Sequence, residues 1–124
     1  MTQPLALVLY EKLLPGTQLV NRLQDLKYRV QTVTDPNSLV TCAKQERPML
    51  VLADLVSTSN DVCSAIGKLR QNPDTQHVPV IAFAPDDAVE LQAAARTAGA
   101  ALVASEAAIL NHLPQFLEEA LRVE

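Results

Sequence analysis

Aromatic side chains make up only 3% of the 124 residues, and tryptophan is absent. Leu, Val, Ile and Ala must therefore fill the core, and a base-stacking surface for single-stranded nucleic acid is not to be expected. Glycine occurs three times, as Gly16, Gly67 and Gly99, and none belongs to a phosphate-cradling loop or a dinucleotide fingerprint. A Gly-x-Ser-x-Gly nucleophile elbow is also missing. The two cysteines, Cys42 and Cys63, lack Cys-x-x-Cys spacing and clustered histidines, so they read as small core residues rather than a disulfide or metal pair. Long apolar stretches of membrane-spanning length are lacking, and Met1-Thr2-Gln3-Pro4 lacks the basic-then-apolar order of a signal peptide, which predicts a soluble, cytoplasmic protein. The formal net charge is −4, with ten Lys and Arg scattered singly, so no basic stripe exists to follow a phosphate backbone and direct nucleic-acid binding is not expected.

What is present is a hydrophobic content of 48% in a chain of single-domain length, predicting one folded domain over residues 1–124. Leu5 to Leu9 is an unbroken apolar run and reads as a buried strand. Leu19, Leu23 and Leu26 then repeat at helical spacing, giving a helix over about 16–27. The stretch from Tyr28 to Val33 alternates like an edge strand. Asp35-Pro36 is a helix-start signal, with Asp at the cap and Pro in the first turn, and Pro48 bars that helix from continuing beyond Glu46.

Met49 to Ala53 is again wholly apolar and ends in Asp54. A third helix follows, capped by Asp61 or Ser59 and burying Val62, Ala65, Ile66 and Leu69. Val78 to Ala84 reads as the fourth strand, and Pro85-Asp86-Asp87 as the start of an Ala-rich helix whose two carboxylates complement the N-terminal dipole. Gly99 stands where a C-cap glycine belongs. Ala100 to Ala104 is the fifth strand, and a single helix is expected from Ile109 to Val123.

Five alternations of strand and helix with short connections mean a parallel sheet covered on both faces. The expected architecture is α/β, a flavodoxin-like (βα)5 three-layer sandwich with strand order 2-1-3-4-5. In that order Glu11 and Asp54 share the mouth at the strand C-termini, where ligands and chemistry collect in open sheets.

The segment Asp54-Leu55-Val56-Ser57-Thr58-Ser59-Asn60-Asp61-Val62, together with Val78-Pro79-Val80-Ile81 and Ala98-Gly99-Ala100, resembles the receiver domains of two-component response regulators. In that family an apolar third strand ends in a phospho-accepting Asp, followed by Asp-x-x-Met-Pro-x-x-Asp-Gly. Here both Asp residues keep the spacing, while Ser57-Thr58 and Val62 replace Met-Pro and Gly.

The resemblance implies Asp54 as phosphoacceptor and a magnesium ion held by Glu11, Asp54 and the Val56 carbonyl, with water completing the octahedron. It also exposes departures. The family's pair of acids after the first strand falls on Tyr10 and Glu11. Its switch Ser or Thr falls on Ala84. Its Lys after the fifth strand falls on Glu106, or on Ser105 if that strand is one residue shorter. A phosphoryl group on Asp54 would add about two negative charges with little to balance them.

The resemblance therefore implies a degenerate or pseudo-receiver: a phosphorelay signalling module, not an enzyme, that acts through protein–protein contact with aspartyl phosphorylation weak or lost. Its partners would be a histidine kinase or a downstream signalling protein. Self-association would use the family's usual face of fourth helix, fifth strand and fifth helix, here rich in alanine (Ala93, Ala94, Ala101, Ala104, Ala107, Ala108). The alternatives are a working magnesium-dependent phosphoreceiver and a flavodoxin-like binder of a small ligand. The latter is disfavoured by Tyr10-Glu11-Lys12-Leu13-Leu14-Pro15 where a flavin-phosphate loop would lie. His77 and His112 read as surface residues outside any nucleophile motif.

Overall fold

A computed structural model describes residues 4–10, 13–56 and 62–121. The strands are β1 (Leu5–Leu9), β2 (Arg29–Val33), β3 (Leu50–Asp54), β4 (Val80–Ala84) and β5 (Leu102–Ser105). The helices are α1 (Leu13–Asp25), α2 (Pro36–Glu46), α3 (Val62–Gln71), α4 (Val89–Ala98), α5 (Glu106–Asn111) and α6 (Leu113–Leu121). All strands run parallel in the order β2-β1-β3-β4-β5, the flavodoxin-like arrangement.

The core lies in two layers because side chains alternate across the pleat. Leu7, Leu9, Val51, Ala53, Val80 and Ala82 meet α2, α3 and α4 through Leu39, Ala43, Ile66, Leu69 and Ala95. Ala6, Val8, Leu50, Leu52, Ile81 and Phe83 meet α1, α5 and α6 through Leu19, Leu23, Ile109, Leu113 and Leu117. The three central strands are buried along their whole length, whereas the edge strand β2 is largely open to solvent. No helix among the described residues is long and apolar enough to cross a membrane.

Three boundaries differ from the sequence reading. The single terminal helix expected over Ile109–Val123 is two helices. Pro114 lacks an N–H and cannot continue the ladder of α5, so the chain breaks at His112, whose carbonyl accepts the Gln115 and Phe116 N–H groups to start α6. The helix expected to open at Pro85-Asp86-Asp87 opens at Val89 instead. Pro85 to Ala88 closes a turn through Ala88 N–H to the Pro85 carbonyl, so Asp86 and Asp87 precede the helix and Glu90 is the acid of its first turn. Finally, α1 starts three residues earlier than expected, with Pro15 in its first turn, where a missing N–H breaks no hydrogen bond.

Other local signals act as read. Asp35 caps α2 by accepting the Asn37 N–H at 3.1 Å. Gly99 closes α4 at φ 116°, and a Cβ there would lie 2.6 Å from Arg70 Cγ. Lys27 (φ 72°) and Arg47 (φ 51°) also take left-handed backbone, after α1 and α2 respectively. Both cysteines are free and half-buried against the α2–α3 side of the core.

Candidate functional site: the mouth of the sheet

Parallel strands bring their C-termini to one end, and the register fixes what meets there. Asp54 pairs with Phe83 in β4, Ala53 with Leu9 in β1, and Ala84 with Ser105 in β5. Asp54, Ala84 and Ser105 thus end β3, β4 and β5, and Tyr10 follows the last residue of β1, all at one mouth. Glu11, the predicted second acid, and Asp61 lie outside the described residues.

Asp54 is only 1% exposed, so its carboxylate sits within the fold rather than on its rim. Its Oδ1 accepts the Val56 N–H at 3.0 Å, an Asx-type turn that bends the chain out of β3. The Leu55 N–H meanwhile donates to the Phe83 carbonyl at 2.9 Å and extends the ladder one step past the strand. By pleat alternation Asp54 belongs to the face of Leu50 and Leu52. Tyr10 is half-buried and packs against that same layer of the core.

Ala84 is fully buried and packs with the opposite layer, beside Ala82 and α4's Ala95. Its methyl group is a core contact and offers no hydrogen bond. Ser105, the last residue of β5, uses its Oγ to accept the Ala108 N–H at 3.1 Å and so caps α5. Glu106 is the first residue of that helix, where a carboxylate complements the dipole. Of the two alignments open for the fifth-strand position, the strand therefore ends on the serine.

Magnesium takes six oxygen ligands in tight octahedral geometry. Among the described residues no three His, Cys, Asp or Glu side chains gather to hold an ion.

Two side chains that sequence reasoning passed over fix the connections on either side of β4, Gln92 at the mouth and Thr75 at the opposite end. Gln92 Nε2 donates to the Pro85 carbonyl at 3.1 Å, pinning the turn that leaves β4. Thr75 is fully buried in the α3–β4 connection, its Oγ1 donating to the Leu69 carbonyl at 2.7 Å. A glutamine seven residues after a proline carries no sequence signal. A Thr three residues beyond the Asn-Pro that ends a helix is a weak one. Burial pushes the Cys63 thiol above its ordinary pKa.

No protein-family model matches the chain, and no curated protein matches it by sequence. Solved structures do match. A candidate response regulator from Chloroflexus aurantiacus superposes with a TM-score of 0.89 at 16% identity, over 97% of this chain and 98% of that one. The receiver domain of a sensor histidine kinase from Pseudomonas aeruginosa, solved with magnesium in its active-site cleft, gives 0.87 at 22% identity over 97% and 98%. The signal receiver domain of a modulated diguanylate cyclase from Desulfovibrio desulfuricans gives 0.81 at 21% identity over 96% and 94%. With the strand order and the mouth described above, these matches identify the fold: the chain adopts the fold of response-regulator receiver domains.

Proposed function

We propose that this chain is a receiver-like signalling module, not an enzyme, which works through protein–protein contact and in which phosphorylation of Asp54 is weak or lost. The observation that carries this reading is the engagement of the mouth's side chains in the protein's own structure. Asp54 is buried and turns its own loop, Ala84 and Tyr10 pack into the core, and the Ser105 hydroxyl caps a helix. A phosphoryl group here would bring about two negative charges to an end that already carries the exposed acids Asp86, Asp87 and Glu90 and the half-buried Glu106.

Incubation with acetyl phosphate or beryllofluoride plus magnesium, followed by intact-mass measurement and a thermal melt, tests the reading. The expected result is no stoichiometric phosphoryl gain and no shift of the melt. A mass gain that Asp54→Asn abolishes would instead establish a magnesium-dependent phosphoreceiver, with Glu11, Asp54 and the Val56 carbonyl as the ion's first candidates. The fitting partners are those of the fold's signalling use, a histidine kinase or a downstream signalling protein.

A further inference from the structure

Among the residues whose side-chain burial is described, three large apolar side chains are substantially exposed: Leu26, Met49 at 48% and Val89 at 66%. Two of the three have charged neighbours, acids next to Val89 and two arginines with one acid beside Met49. Val89 follows the Pro85–Ala88 turn at the mouth end, with exposed Asp86, Asp87 and Glu90 around it. Met49 lies at the other end of the sheet, in a cleft of about 630 Å³ whose rim carries the exposed Arg29, Arg47 and His77 with one acid, Glu46.

Both surfaces are held in shape by the backbone beneath them. The acidic turn is closed by Ala88 N–H and by Gln92 Nε2, both donating to the Pro85 carbonyl. The cleft is framed by Met49 N–H to the Leu5 carbonyl at 2.8 Å and Arg29 N–H to the Pro4 carbonyl at 2.8 Å. Arg47 stands there in left-handed backbone, a conformation that glycine occupies at far lower cost. Preformed surfaces lose little conformational freedom on docking.

The geometry points to a second copy of this chain as the occupant of the cleft: the Asp86–Glu90 turn of one molecule seats Val89 beside Met49 of the next, its carboxylates facing Arg47. The charges match around an apolar centre on each side, and the cleft has room for a valine side chain. The two surfaces lie at opposite ends of the parallel strands, so the contact is head-to-tail and each molecule can give and receive one. It is separate from the alanine-rich α4–β5–α5 face and does not depend on whether Asp54 is phosphorylated.

Sedimentation velocity over a concentration series up to about 1 mM tests it. Concentration-dependent growth beyond a dimer is expected. Arg47→Glu at the cleft and Val89→Ser at the turn alter exposed side chains, so circular dichroism should show both variants folded. Each should weaken association roughly tenfold or more. Their equimolar mixture keeps one native turn and one native cleft and should stop at a one-to-one complex. A wild-type chain that stays monomeric throughout, or a dimer that both substitutions leave unchanged, overturns the proposal.

Discussion

The two ends of this sheet are built from the same five strands and have opposite characters. At the C-terminal end the strand ends themselves are buried, Asp54, Phe83 and Ala84 almost or wholly, and polar groups turn loops and start helices, while the turn after β4 exposes Asp86, Asp87 and Val89. At the N-terminal end it is open, with Arg47, Met49 and His77 exposed. The helix termini distribute many of the cations to one end. Arg22, Lys44, Lys68, Arg70 and Arg96 all sit in last turns of helices, at the N-terminal end of the sheet, while Glu90 and Glu106 sit in first turns at the mouth. Each cation or acid complements its own helix dipole. The last turns also hold Asp25, Glu46, Glu118 and Glu119, so the cations at that end are partly offset by acids.

If the mouth end belongs to the core, Phe83→Ala should be the most damaging substitution. It empties a fully buried site beside Asp54 and should cost about 3–5 kcal/mol, read from the urea-unfolding midpoint. A loss under 1 kcal/mol would mean that this end repacks freely.

The open end should be sensitive only where its backbone is special. Gly99→Ala places a Cβ in a left-handed residue against Arg70, whose Nη1 donates to the Gln76 carbonyl, and should cost about 1–3 kcal/mol. An equally stable variant would show that Arg70 yields without penalty.

Lys27→Gly at the same end should act in the opposite direction. Relief of the left-handed strain outweighs the added freedom of the unfolded chain, giving a gain of about 0.5 kcal/mol. A lower melting temperature than wild type would contradict this.

The smallest effect is expected at Tyr28, whose phenol burial pushes above its usual pKa of 10.0. The folded state then holds its proton at pH values where the unfolded chain has released it. The contribution is complete below pH 10 and is lost as pH rises through the folded-state value. Comparing the alkaline limb of wild type with that of Tyr28→Phe should show a shallower fall in the variant. Identical limbs would remove Tyr28 as the cause.

Most of the architecture was legible because apolar runs of five and heptad-like leucines are strong signals. The position of Asp54 at a strand end followed from one such run. The break at Pro114 had its signal in plain view, since a proline inside a helical pattern interrupts the ladder. The start of α4 was obscured because Pro-Asp-Asp suits a turn as well as a helix cap, and only Gln92, reaching back from inside the helix, favours the turn. At the mouth, the sequence named Tyr10, Ala84 and Ser105 as departures from a pattern. The packing that occupies Tyr10 and Ala84 depends on helices that fold back over the sheet, and the Ser105 cap depends on where β5 stops. The collection of cations at one end is invisible until helices are given a direction in space.

The capping of α5 by Ser105 has a mechanical consequence. β5 ends at Ser105 and α5 begins at Glu106, so no slack chain separates strand from helix. Any rotation of Ser105 must carry the first turn of α5 with it. The break at His112 does not free α6, because Leu113 is fully buried and Leu117 nearly so in the same core layer as Ile109.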